Sequence, residues 1–512
     1  MRRAVAQVRK RAVCIAAALA LGAGLPPVRL VAQAPAPIHL TMQDAVRRAV
    51  ERGEEVGLAQ VAVSQAHSQV ITARADALPQ IRATLNYQRT IFSPFTGGSS
   101  SGPVLPPFAP DTTLTVNDRL RYLENEYPNM LDRQIGKLFS STPFGRPNTY
   151  TTSLQLTQTL FQAGKVGAAL QGAHAFESAA RSQLEETRQD ITYRTRAAYL
   201  NALYAERLAA IAASGRDLSA EQLRRVELSH RVGNSADYDL LRAQVETANQ
   251  EPLVVQSRND RDIALLQLRQ LVNIPVDVPI ELDASVIAAS NGLPEVDFDA
   301  LRSDVEARAA IAAAQSNVEF RRQAVRFFHG DYFPALKLTV NIGAQQYPSG
   351  FAPNGTWAKD WNATLGLSWQ LFDGFRTRGQ IESARAELSR AELQLAQTRE
   401  SASLDVERAR ADVARARALV DARQQTVTQA TRAQHLASVR YANGIATPLE
   451  VSDARLAMQQ SQVNEAQATR DYLLSLAALE RALGRPAPLK SVQQRAEGPG
   501  SGVRGQGSGE NR

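Results

Sequence analysis

The sequence predicts a mostly α-helical fold with a four-stranded β contribution, built as two tandem structural repeats. Three observations carry this expectation. The stretch TSLQLTQTLFQAGKVGAALQ from Thr152 returns as ATLGLSWQLFDGFRTRGQIE from Ala363, an offset of 211 residues that persists through the helices that follow. Each copy also changes period. Thr152, Leu154 and Leu156, and likewise Ala363, Leu365 and Leu367, alternate with polar residues, as in a strand with one apolar face; the apolar spacing then becomes helical. Finally, a proline-free run of roughly 70 residues follows each junction, long enough for a helix of ~105 Å. Repetition on this scale sets the architecture before any single motif does.

In chain order, Thr41 opens the first helix with Asp44 three residues on, a near capping box, and the helix runs to about Ala77 before Leu78-Pro79. A strand follows, with Ile81, Ala83, Leu85, Tyr87 and Ile91 on one face and Gln80, Arg82, Thr84, Asn86, Gln88 and Thr90 on the other. A Gly/Ser/Pro-rich stretch comes next, a short helix is expected between Asn117 and Phe139, and the second strand starts near Tyr150. The first long helix spans about Ala163 to Val232, where Gly233 suits the left-handed position after a helix. Ser235 is placed to cap the next helix, which reaches about Leu271 and is kinked at Pro252.

The second half repeats this order. A helix is expected from about Phe298 to Asp331, and Phe333-Pro334 matches Leu78-Pro79 at an offset of 255. Leu336, Leu338, Val340 and Ile342 form one face of a third strand, and a fourth starts at Trp361. The second long helix covers about Phe375 to Asn443; Gly444 ends it, Thr447 caps the next, and that helix closes near Leu483. The offset falls from 255 to 211 between the paired strands, so the first hairpin loop is 44 residues longer than the second. Two short helices laid end to end match one long helix, which builds a tall layer rather than a compact body. Ile381, Leu388 and Leu395 are seven apart, as are Val413, Val420 and Val427, but a gap of 18 separates the series, so the lateral packing is not a strict heptad.

These elements divide the chain into a signal peptide at 1–34, a first repeat at 35–285 with a long loop at 92–149, a second repeat at 286–484 with a short loop at 343–360, and a disordered tail at 485–512. Asn273 to Val296 links the halves as a belt. The signal peptide is read from Arg2, Arg3, Arg9, Lys10 and Arg11 ahead of an apolar run from Ala12 to Leu25. That run falls short of the roughly 18 residues a membrane helix needs. Cys14 is the single cysteine and lies within it, so the mature chain has neither disulfide nor thiol chemistry.

The net charge of +7 gives no support for nucleic-acid binding. The leader and the tail hold the basic excess, and the body between them is near neutral. Gly98-Ser99-Ser100-Ser101-Gly102 has the spacing of a nucleophile elbow but lies in a low-complexity loop. Gly164-Lys165 lacks the upstream glycine of a phosphate loop, and the histidines are too scattered to pair on a metal. No catalytic residue, metal site or cofactor is expected.

Strands of this length suit a membrane barrel, where ~9–11 tilted residues cross the bilayer. Four strands cannot close on themselves, and lipid tolerates no open edge, so the chain must oligomerise; eight, twelve or sixteen strands are all allowed. The alternative is a periplasmic helical scaffold or adaptor whose sheet packs on helices and forms no pore.

The chain resembles the TolC-like outer-membrane efflux proteins from about Ile38 to Leu483. The resemblance is carried by LTMQDAVRRAV, ARADALPQI, the two LF-containing strand–helix junctions, and the paired turns RVGNSADYDLLRAQ and YANGIATPLEVSDARLA. It implies a homotrimer in outer-membrane lipid, with a twelve-stranded barrel continuous with a long periplasmic α-helical barrel. A periplasmic adaptor and an inner-membrane transporter would dock at its inner end. The resemblance also implies a passive, gated export channel rather than an enzyme. Matching turn to turn places aperture carboxylates at Asp239, Glu450 and Asp453, and a tyrosine that bonds across subunits at Tyr441, with Asp239 as its counterpart. An arginine of the family's second turn is Ala446 here, and Arg242, aligned with Asp453 by the repeat, is its substitute. Val232, Gly233, Ser235, Asn443, Gly444 and Thr447 are the adaptor-facing tips. Thr447-Pro448-Leu449-Glu450 reads equally as a capping box with proline at the first helical position.

Overall fold

A computed structural model describes residues 37–92, 111–140, 147–286, 293–298, 305–348, 350–353 and 355–489. The signal peptide, the Gly/Ser/Pro-rich loop stretch and the tail from residue 490 fall outside them. Eight α-helices are described: α1 Met42–Arg52, α2 Glu54–Ala75, α3 Val116–Ser140, α4 Lys165–Arg231, α5 Asp237–Val272, α6 Ala309–His329, α7 Arg376–Ala442 and α8 Pro448–Leu483. The strands are β1 Ile38–Leu40, β2 Gln80–Arg89, β3 Asn148–Phe161, β4 Ile280–Leu282, β5 Ala335–Gln346 and β6 Ala358–Ser368.

The four expected strands form one antiparallel sheet in the order β2-β3-β5-β6. The two hairpins are joined through β3 and β5, with Leu154 opposite Ile342 and Leu156 opposite Val340. The register stacks like on like. Ile81, Leu156, Val340 and Ala363 fall in one row of the apolar face, while Thr84 and Ser153 face each other on the polar side, their hydroxyls 2.7 Å apart. β2 and β6 are left as free edges, and the side chains of β6 are exposed throughout.

Two short strands were not foreseen. β1 and β4 pair in parallel, Ile38 opposite Ile280, and so tie the start of the first half to the linker between the halves. Three-residue strands carry too little alternation to be read from sequence. Their junction is set by Tyr199, a fully buried side chain whose hydroxyl donates to the Leu40 and Asp283 carbonyls at 2.8 and 2.9 Å. The described ends of the linker are thus packed: Val296 is buried against α7 and α8, and the Tyr472 hydroxyl bonds the Pro294 carbonyl.

Several expected boundaries are corrected. The first helix is two, broken at Gly53, whose backbone turns extended (φ −65, ψ 130) and where an added Cβ would meet the Ala49 carbonyl oxygen at 2.3 Å. α6 starts at Ala309 rather than near Phe298. Ser235 is not a cap: Ala236 holds that position, with no side-chain hydrogen bond. Residues 485–489 are ordered rather than part of a disordered tail, because Ala487 is buried and Leu489 bridges to Val296.

The helices match in length across the two halves. α4 and α7 have 67 residues each, and α5 and α8 have 36 each. Both partners start 211 residues apart. The left-handed residues match too: Ala163 and Gly164 pair with Gly374 and Phe375 at the strand–helix junctions, and Gly233 pairs with Gly444 at the tips. α4 packs on α2, α5, α6 and α8, and α7 packs on α6 and α8. The seam of α7 is Val406, Val413 and Val420, seven apart and each 1% exposed or less, against Leu476, Leu479 and Leu483 of α8.

Candidate functional site at the helical tips

The candidate site is the end of the helical layer farthest from the sheet, where α4 turns into α5 and α7 into α8. Both turns close by the same hydrogen bonds. In the first, Gly233 N–H donates to His230 and Asn234 N–H to Ser229, each at 2.9 Å. In the second, Gly444 N–H donates to Tyr441 at 3.0 Å and Ile445 N–H to Arg440 at 2.9 Å. A left-handed residue followed by such a six-to-one bond is the Schellman arrangement, and it satisfies the last carbonyls of each long helix. Gly233 and Gly444 sit at φ 76 and 73, where an L side chain would be strained.

The turns differ in how the next helix begins. Thr447 makes the full capping box with Glu450, hydroxyl to N–H and carboxylate to N–H, and Glu450 also lies 3.6 Å from Arg440. Glu450 is therefore occupied locally. The first turn has no such box; instead His230 contacts Asp237 at 2.6 Å and Ser235 donates to Asp239 at 3.5 Å. Asp239 lies close enough to Tyr441 to act on it. Burial pushes the Tyr441 phenol above its ordinary range and the Asp239 carboxylate adds to this, against opposing effects of Gln222 and Arg225. Arg242 and Asp453 do not pair; Asp453 is exposed, and Arg242 lines a groove with Tyr238, Leu241, Val245 and Leu456. Val232, Asn443 and Thr447 are exposed on the tips.

Roughly two to three helical turns inward lies a cluster that the sequence reading missed. Arg455 on α8 is buried and bonds Glu246 of α5 and the Ser219 hydroxyl of α4. Ser452 donates to the same Glu246 oxygen at 2.6 Å. Burial lowers the Arg455 guanidinium pKa. The available signal was an arginine on an apolar stripe: Val451, Arg455 and Met458 share the buried face of α8.

The sequence profile of the outer membrane efflux proteins matches residues 130–273 and 301–485. The chain belongs to that family. It is 27% identical over 353 residues to Protein CyaE of Bordetella pertussis, covering 65% of this chain and 71% of that one. It is 23% identical over 340 residues to outer membrane efflux protein BepC of Brucella suis, covering 66% and 72%. The fold matches the outer membrane protein VceC of Vibrio cholerae with a TM-score of 0.65 at 19% identity, over 87% of this chain and 96% of that chain. This efflux protein is therefore a TolC-like outer membrane factor of a Gram-negative envelope, a channel-family protein with a large periplasmic portion.

Proposed function

We propose that this efflux protein is the passive outer-membrane duct of a tripartite efflux or secretion system, acting as a homotrimer. Its β2-β3-β5-β6 sheets would close into a twelve-stranded barrel in lipid, above a helical barrel. The single observation that carries this reading is the sheet itself. It has two unpaired edges, one apolar face and one Thr/Asn/Gln/Ser face, a combination that is stable in lipid only when closed around a wet lumen. Aromatic residues mark both ends of the sheet, the cross-strand pair Tyr87 and Tyr150 at one and Phe161 and Trp369 at the other, as at the two interfaces of a membrane. The matched halves serve as two tandem structural repeats, and residues 1–34 direct export and are removed.

On this reading the tips form a gated aperture. Asp239 and Asp453, free of capping duties, line a cation-selective constriction, with Tyr441 against Asp239, while Glu450 is held by its cap. Arg242, aligned with Asp453 by the repeat, substitutes for the arginine that Ala446 replaces. Val232, Gly233, Ser235, Asn443, Gly444 and Thr447 meet a periplasmic adaptor, which couples the duct to an inner-membrane transporter that supplies the energy.

Single-channel conductance of the purified oligomer in a planar bilayer tests this. A small, flickering wild-type conductance that grows in Asp239→Ala/Asp453→Ala is the expected result. Equal, steady conductance in both moves the constriction elsewhere. Absence of conductance from an inserted oligomer replaces the duct with a poreless scaffold.

A further inference from the structure

The contacts between the two halves of one chain specify the contacts between two chains. Residues of β3 and α4 map onto β6 and α7 by adding 211, and residues of β5 and α6 map onto β2 and α2 by subtracting 255. Residues of α8 map onto α5 by subtracting 211. Within the chain, β3 pairs with β5 and α4 packs on α6 and α8. The mapped partners, β6 with β2 and α7 with α2 and α5, make no comparable contact inside one chain, and these are the free edges and faces. This inference rests on the homotrimer proposed above.

We infer that β6 of one subunit pairs antiparallel with β2 of the next in the register copied from β3–β5. Thr157 opposite Thr339 becomes Ser368 opposite Thr84 of the partner subunit, and Leu156 opposite Val340 becomes Leu367 opposite Leu85 of the partner subunit. The mapping keeps apolar on apolar and polar on polar, as the shared alternation of the two halves requires. Strand length gives an independent sign. β3 runs on to Phe161 because β5 continues beside it, down to Leu336 opposite Phe161. β6 stops at Ser368, its last pairing with β5, and the mapped residues Trp369, Leu371 and Phe372 are irregular and 58%, 79% and 75% exposed. They lack the neighbour that β3 has, and the partner's β2 supplies it.

The helices add charge complementarity. Lys165 bonds Asp331 at 2.5 Å; the mapped pair is Arg376 and Asp76 of the partner subunit. Arg196 pairs with Glu480; the mapped pair is Glu407 and Arg269 of the partner subunit, the same pair with its signs exchanged. Arg376, Asp76 and Glu407 are exposed and make no ion pair among the described residues. The pairs Glu186–Arg308 and Asp190–Arg481 map onto residues without complementary charge, so Arg376–Asp76 and Glu407–Arg269 are the specific seam contacts.

Cysteine cross-linking of the full chain in outer membranes tests the register, with Cys14→Ser as background. Thr84→Cys/Ser368→Cys is expected to yield reducible dimers and trimers. Asn86→Cys/Ser368→Cys and Arg82→Cys/Ser368→Cys should cross-link about tenfold more slowly, because a two-residue stagger moves the Cα atoms to the limit of disulfide reach. Faster linkage by either staggered pair overturns the register while leaving the trimer intact. If no pair links and the untreated protein has the mass of one chain, the trimer itself fails. Glu407→Arg should lower the temperature at which the trimer dissociates, and Arg269→Glu/Glu407→Arg should restore it; absence of rescue removes that contact.

Discussion

Arg455 reaches from α8 to Glu246 on α5 with 5% of its side chain exposed, while Glu246 keeps 23%. The charge that is harder to solvate is the arginine, so the pair is asymmetric: loss of the carboxylate strands a buried cation, whereas loss of the arginine leaves an anion that water can reach.

Glu246→Gln should therefore destabilise the helical layer by roughly 3 kcal/mol, the cost of a buried charge without its partner, and Arg455→Met by distinctly less. Thermal unfolding followed by circular dichroism of both variants checks the order; equal losses would show that the pair acts as two independent hydrogen bonds.

Tyr199 joins β1 and β4 through its hydroxyl, and burial pushes its pKa up to about 12. Below pH 10, folded and unfolded chains both keep the proton and nothing changes with pH. Between pH 10 and about 12 the unfolded chain ionises first, so stability falls as pH rises. Tyr199→Phe should cost about 1.5 kcal/mol at neutral pH and flatten that alkaline slope, as read from denaturation midpoints across the window.

Glu177 on α4 is buried beside His67 of α2 at 3.1 Å, Arg181 at 2.6 Å and His174 at 3.8 Å. Burial alone raises its pKa, but the hydrogen bonds from His67 and Arg181 prevail and hold the carboxyl below the ordinary 4.5. Its stabilisation is present above that value and disappears as pH falls through the lower folded one. Glu177→Gln should lower the melting temperature at pH 7 and lose this acid dependence; an unchanged slope below pH 4.5 would assign it to other carboxylates.

The two tips should respond unequally to loss of a hydroxyl. Thr447→Ala removes a capping box and should cost about 1 kcal/mol, whereas Ser235→Ala, outside the cap position, should stay within about 0.5 kcal/mol. Hydrogen exchange at the first turns of α8 and α5 resolves the difference.

The strands and long helices were legible because period and length speak together: few folds accommodate an alternating stretch such as that from Thr152 to Leu160 followed by a proline-free run of α4's length. The glycines at 233 and 444 were legible because a left-handed turn restricts residue choice. The helix break at Gly53 was not, since one glycine in a helical pattern is compatible with continuation. Nor were β1 and β4, whose pairing is decided by Tyr199, far away in sequence. Arg455 was hidden for a related reason: an arginine on a helix is ordinarily solvated, and only the third helix behind it shows otherwise. The sheet's two-sidedness was read correctly, but which strands would join the hairpins depended on β3 and β5 meeting, a contact no local pattern encodes.

The equal lengths of α4 and α7, each spanned by two shorter helices laid end to end, restrict how the gene can change. A codon inserted in one long helix shifts every residue beyond it by about 100° against its neighbours. Repair would require matching insertions in the other long helix and in the short helices alongside. Drift in height must therefore come as coordinated, whole-turn changes in both halves, while the loop between β2 and β3 is free to lengthen by itself. The 44 extra residues there, with no counterpart in the second half, record which part of the chain has had that freedom.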